Sequence, residues 1–209
     1  GGKILTIQVS YNSSLRLVDF NESDFSLKIR EIFTASEYID EMDWSKDNEI
    51  VFSSQASGKN ELWQMKNDGT NARQITTNAN VSFGLTVSPV DGSIVFAAKQ
   101  NGIRGIWQVD SAGKNLRQIS EGDIKSPDIS NDGKIIFQRG LGHSEGAFLN
   151  WNGETKILDS SCYFPSISPD GTKVACYFMD FADNRKWRIA IISTDSSLLI
   201  NKITPPIPI

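Results

Sequence analysis

What most restricts the fold of this chain is a layout that returns four times along it. The segments are Trp44-Ser45-Lys46-Asp47-Asn48, Val87-Ser88-Pro89-Val90-Asp91-Gly92, Ile129-Ser130-Asn131-Asp132-Gly133 and Ile167-Ser168-Pro169-Asp170-Gly171. Their serines stand 43, 42 and 38 residues apart. A short β-rich run follows each turn, at 49–53, 93–97, 134–138 and 173–178. A loop then leads to an aromatic run: Leu62-Trp63-Gln64-Met65, Ile106-Trp107-Gln108-Val109, Phe148-Leu149-Asn150-Trp151 or Trp187-Arg188-Ile189-Ala190. A second turn and a basic-polar run ending in Ile or Leu close the unit, as in Arg73-Gln74-Ile75-Thr76 and Arg117-Gln118-Ile119-Ser120.

Each unit therefore carries four short strands. Asp-Gly and Asn-Gly pairs supply the positive φ that tight hairpins need, and Val, Ile, Phe and Trp fill the runs between them. Four strands in a period of about 42 residues are the signature of a β-propeller blade. No segment of helical periodicity exceeds two turns, so a mixed α/β fold is excluded. The expected architecture is all-β, with antiparallel four-stranded blades at residues 38–80, 81–123, 124–161 and 162–204. Residues 1–37 show three strands and no inner one. The tail containing Pro205, Ile207 and Ile209 is the candidate to complete that first blade, although prolines cannot donate ladder hydrogen bonds. The count is four full blades plus one shared or incomplete blade. It describes a five-bladed ring if closed, or otherwise part of a six- or seven-bladed one. The ends, Gly1-Gly2-Lys3 and Pro208-Ile209, are expected to belong to a piece of a longer protein.

The chain has 209 residues and a formal net charge of −4, without the clustered Lys and Arg of a nucleic-acid binder. Its apolar runs are far shorter than the roughly 18–20 residues of a membrane helix, so no insertion is expected. Cys162 and Cys176 are the only cysteines. Counting outward from the Asp170-Gly171 turn offsets them by about three residues, which predicts two free thiols.

The motif units resemble the Trp-Ser-Pro-Asp-Gly repeats of the TolB-like, or PD40, branch of β-propellers. Ser88-Pro89, Asp91-Gly92 and Ser168-Pro169-Asp170-Gly171 carry the resemblance most fully, and the segments at 44–48 and 129–133 are eroded versions. It covers essentially the whole chain. The arrangement is also similar to the propeller at the C-terminal end of some bacterial Ser/Thr kinases and winged-helix regulators. That likeness implies a binding or sensing module fused to another domain of a bacterial protein, cytoplasmic or periplasmic. Two other readings are a TolB-like periplasmic scaffold and the gating propeller of a prolyl-oligopeptidase-like hydrolase. Fold alone does not choose among them.

Little in the sequence points to catalysis. His143, the single histidine, lies in the Gly-rich segment 139–146 without a Gly-x-Ser-x-Gly nucleophile elbow, and reads as a solvated loop residue. One His and two Cys do not supply a metal-ligand set, and a calcium site around Asp180 and Asp183 lacks a known loop spacing. No cofactor and no enzymatic activity are expected. Trp63 and Trp107 should pack between blades. Function is expected at the channel mouth, where the inner strands begin and the loops between second and third strands cluster. The candidate contacts are Tyr38, Asp40, Phe83, Lys125, Tyr163, Phe164, Asp180, Phe181 and Arg185, a mixture of aromatic and charged groups suited to a protein, peptide or small ligand.

Overall fold

The computed structural model describes residues 2–9, 13–35, 37–140, 147–151, 154–159, 161–180 and 182–203, all of them in strands, turns and loops. Five antiparallel sheets follow one another along the chain. Blade 1 has three strands, β1 (Gly2–Val9), β2 (Ser13–Phe20) and β3 (Leu27–Ala35). Blade 2 comprises β4 (Ile39–Trp44), β5 (Glu49–Ser54), β6 (Glu61–Lys66) and β7 (Arg73–Gln74). Blade 3 comprises β8 (Val81–Val87), β9 (Ile94–Gln100), β10 (Ile103–Val109) and β11 (Arg117–Glu121). Blade 4 comprises β12 (Ile124–Ile129), β13 (Ile135–Arg139), β14 (Ala147–Trp151) and β15 (Glu154–Asp159). Blade 5 comprises β16 (Cys162–Ile167), β17 (Lys173–Asp180), β18 (Lys186–Ser193) and β19 (Leu199–Ile203). The expected completion of blade 1 by the tail, and the position of His143, lie outside the described residues.

The repeated motif is turn machinery. In every copy the serine hydroxyl accepts a backbone N–H of its own turn, from the far side in Glu49 onto Ser45, Lys134 onto Ser130 and Lys173 onto Ser168, and from within the turn in Val90 onto Ser88, at 3.0–3.3 Å. Asn48, Gly92, Gly133 and Gly171 close the turns with φ of 59°, 74°, 85° and 68°. Asn is the residue with a side chain that best tolerates this left-handed region, which is why the copy without glycine still turns.

Successive blades bury the same positions against one another. Four apolar clusters join blades 1 and 2, 2 and 3, 3 and 4, and 4 and 5. In blades 2 to 4 the heart of each cluster is an inner-strand aliphatic beside a phenylalanine of the second strand: Ile39 with Phe52, Val81 with Phe96, and Ile124 with Phe137. Trp63 and Trp107 pack against these clusters from the third strand. Removing a Phe side chain of this size from water contributes about 1.5–3 kcal/mol. Carboxylates tie inner strands together as well. Asp43 Oδ2 accepts the Val87 N–H at 2.8 Å and the Thr86 hydroxyl at 3.1 Å, and Asp128 Oδ2 accepts the Ile167 N–H at 2.9 Å and the Ser166 hydroxyl at 2.7 Å.

The two cysteines are not free. Cys162 and Cys176 form a disulfide with a Cα separation of 5.5 Å. The expectation of free thiols failed because it assumed an unbroken ladder. Cys162 lies opposite Phe178 and Tyr163 opposite Tyr177, but the next pair is Ser166 with Ala175. Phe164 and Pro165 thus share Cys176 as their counterpart, a β-bulge that sharpens the local twist. The distortion brings Cys162 to bonding distance of a residue two places from its ladder partner.

Candidate binding face

The inner strands β4, β8, β12 and β16 all bulge at this point, breaking register between Ile39 and Met42, Val81 and Leu85, Lys125 and Asp128, and Tyr163 and Ser166, with three residues against one in β8 and two against one in the others. Gly84, Ser126 and Phe164 take left-handed φ of 89°, 53° and 49° within it. Pro127 and Pro165 follow immediately, at positions where a lost ladder donor matters little. Neighbouring bulges touch. A Cβ on Gly84 would lie 2.7 Å from Pro127 Cδ and 2.9 Å from Ser126 Cα, so no side chain fits there. Glu41 Oε1 accepts the Gly84 N–H at 3.1 Å, and Gln138 Oε1 accepts the Phe164 N–H at 3.1 Å.

Beside these bulges the structure gathers part of the expected site. Phe164 is 57 % exposed, with the Lys125 ammonium 5.3 Å from its ring centroid and the Tyr177 ring edge-on at 6.4 Å. Phe83, 56 % exposed, lines a depression of about 100 Å³ with Ser82, Lys99, Arg104 and Asp123. Arg104 is anchored there by an ion pair to Asp123 at 2.7 Å. Tyr38 is half-exposed, and Asp40 accepts a hydrogen bond from Asn60 Nδ2 at 3.3 Å. Arg185 is exposed.

Two expected contacts are placed differently. Tyr163 is buried, its ring met edge-on by Trp187 at 5.4 Å. Asp180 is also buried, where it pairs with Lys202 at 2.8 Å and Arg188 at 3.4 Å. It accepts the Ala182 N–H too, so it braces the hairpin rather than facing a ligand. The hydrogen bond from Lys202 is the largest of the influences that hold its carboxyl below the usual range. Asp183 is likewise engaged with Lys186 and Arg188. Phe181 lies outside the described residues.

Sequence reasoning missed Glu41, Asp43 and Asp128 on the same inner strands. Burial pushes the carboxyls of Asp40, Glu41 and Asp43 upward. Repulsion from Asp128 adds to the rise at Asp43, while hydrogen bonds from Val87, Trp44 and Thr86 oppose it. The signal was present: two places before the motif serine, the units read Asp43, Thr86, Asp128 and Ser166, with acceptors alternating with donors. Two larger depressions, of about 230 and 270 Å³, are lined by none of the bulge residues and lie beside Thr76 and Leu116 and among the motif turns around Asp91 and Asp132.

No protein-family model and no curated protein matches the sequence. Among solved structures, it superposes on TolB from Acinetobacter baumannii with a TM-score of 0.72 and 22 % identity, over 92 % of this chain. A putative TolB from Agrobacterium tumefaciens gives 0.74 and 18 % over 95 % of it. The fold is that of a TolB-like β-propeller. The chain spans 49 % of the first TolB structure and 70 % of the second. Puromycin hydrolase is also similar, with a TM-score of 0.64 and 12 % identity over 100 % of this chain and 39 % of that one. Blades of this kind thus occur in TolB and in a hydrolase alike, and the residues on the face have to carry the functional reading.

Proposed function

We propose that this TolB-like propeller is a non-catalytic binding or sensing module of a larger bacterial protein, and that the inner-strand face around Phe83, Lys125 and Phe164 takes a protein or peptide partner. The observation that carries this reading is the pair of inner-strand aromatics held more than half exposed. Each has a cation at its side, Lys125 over Phe164 and Arg104 beside Phe83. Exposed rings flanked by cations on a rigid sheet are the composition of binding hot spots. The motif serines are drawn into turn hydrogen bonds, Ser168 Oγ donating to Asp170 at 2.6 Å for example, which ties up their hydroxyls structurally.

A photo-crosslinking side chain placed at Phe83 or Phe164 should capture a partner. The same group at Asp110, in a turn at the opposite end of the blades, should not. Equal capture from both ends would reject this face. The likeness to puromycin hydrolase favours a second reading, a propeller gating a hydrolase. Peptide hydrolysis by this chain that disappears in Asp43→Asn would overturn the non-catalytic assignment.

A further inference from the structure

Aligning the blades on the pairing of their first two strands shows what the cysteines replace. Ile39, Val81, Ile124 and Cys162 occupy one inner-strand position, and Phe52, Phe96, Phe137 and Cys176 one position of the second strand. The registers agree. Ile39 lies opposite Ser54, Val81 opposite Ala98, Ile124 opposite Arg139 and Cys162 opposite Phe178, with the second member of each pair two residues before that partner. Each pair sits inside the corresponding interblade cluster. Two thiols fill far less volume than an aliphatic side chain and a phenyl ring, and close-packed interiors lose contacts wherever a side chain falls short. Blade 5 is the blade that makes this exchange.

We propose that the Cys162–Cys176 disulfide substitutes covalently for the aliphatic–phenylalanine contact, so that blade 5 completes its folding in a thiol-oxidising compartment. Closing the bond removes two protons and two electrons from the thiols, and a disulfide-bearing oxidant accepts them, being reduced to its own two thiols. The cross-link spans 14 residues and joins β16 to β17 across their bulge. It restricts the open chain where two small side chains stand in place of the aliphatic–phenylalanine pair. Cys162 and Cys176 are 0 % and 4 % exposed, so the finished bond is shielded from thiols in solution. Disulfides of this buried kind belong to oxidising surroundings rather than to the bacterial cytosol.

Hydrogen exchange on the whole 209-residue chain tests this. The chain is unfolded, reduced with dithiothreitol, and returned to native buffer with or without glutathione disulfide. Amides of β17 and β18 should regain protection with the oxidant. Without it they should exchange about a hundredfold faster, the factor expected for a loop of this length, while β5, β9 and β13 remain protected. Cys162→Ile/Cys176→Phe should restore protection of β17 and β18 without oxidant, because it reinstates the pair used elsewhere. If the reduced chain protects β17 and β18 as well as the oxidised one, or if all blades lose protection together, the proposal fails.

Discussion

Blade 3 and blade 5 are built to one plan, yet their second strands meet different surroundings. In β9, Ile94, Val95, Phe96, Ala97 and Ala98 are all buried, with alternate residues facing blades 2 and 4. In β17 burial alternates instead: Val174 and Cys176 face blade 4, while Tyr177 is 43 % exposed. Ala97 and Tyr177 are equivalent positions, lying opposite Ile106 and Ile189 on the third strands. A sheet covered on both faces reads as a continuous apolar run, and one covered on a single face reads as an alternation. The difference teaches that a blade's sequence records how many neighbours it has, and blade 5 records one among the described residues.

Substitutions can break or sharpen this contrast. Phe96→Ala should give the largest loss, about 3–5 kcal/mol in urea unfolding, by opening a cavity inside a doubly covered sheet. Transplanting the residue of blade 5 into blade 3, Ala97→Tyr, should cost about 1–3 kcal/mol by overpacking the interface with blade 4. The reverse change, Tyr177→Ala, should cost less than about 1 kcal/mol, since the ring is partly solvated. A larger loss would mean that the far face of blade 5 is covered in solution.

Two carboxylates make subtler tests, of opposite sign. Asp43 has a raised folded pKa, so its ionisation opposes folding. That cost is full above the folded value and vanishes below the unfolded value near 3.8. Acidification from neutral pH should therefore stabilise the protein through this group, and Asp43→Asn should flatten that part of the profile. Asp170 is held down to about 2, chiefly by the Ser168 hydroxyl. Its stabilising effect is present above the unfolded value and is lost as pH falls through about 2. Ser168→Ala should move the Asp170 titration upward in an NMR experiment, the smallest of these effects.

The blades were legible because their turns are local chemistry. Ser, Asp and a residue fit for positive φ lie within a few positions of one another, and no distant contact is needed to read them. The inner-strand bulge carries no such marker. One added residue without a fixed side chain left Cys162 and Cys176 apparently out of reach, and only the columns of aligned blades reveal that they stand for an aliphatic and a phenylalanine. Asp180 failed as a surface contact for a related reason: its principal partner, Lys202, arrives 22 residues later on another strand. Phe83 and Phe164 are exposed beside the bulges, whereas Tyr163, the aromatic preceding Phe164 on β16, is buried against Trp187, so an aromatic at the start of an inner strand does not by itself mark the exposed face.

The bulges have a further consequence. A residue released from the ladder need not follow the strand's alternation of side chains, and the four inner strands here hold Glu41, Gly84, Ser126 and Phe164 at that station, four residues before the motif serine. An acid, a bare backbone, a hydroxyl and an aromatic ring occupy one structural slot without altering the sheets behind them. The propeller thus resembles a combination dial whose setting differs from one four-stranded blade to the next on a constant frame, with one setting, Gly84, held at glycine by the backbone of the neighbouring bulge.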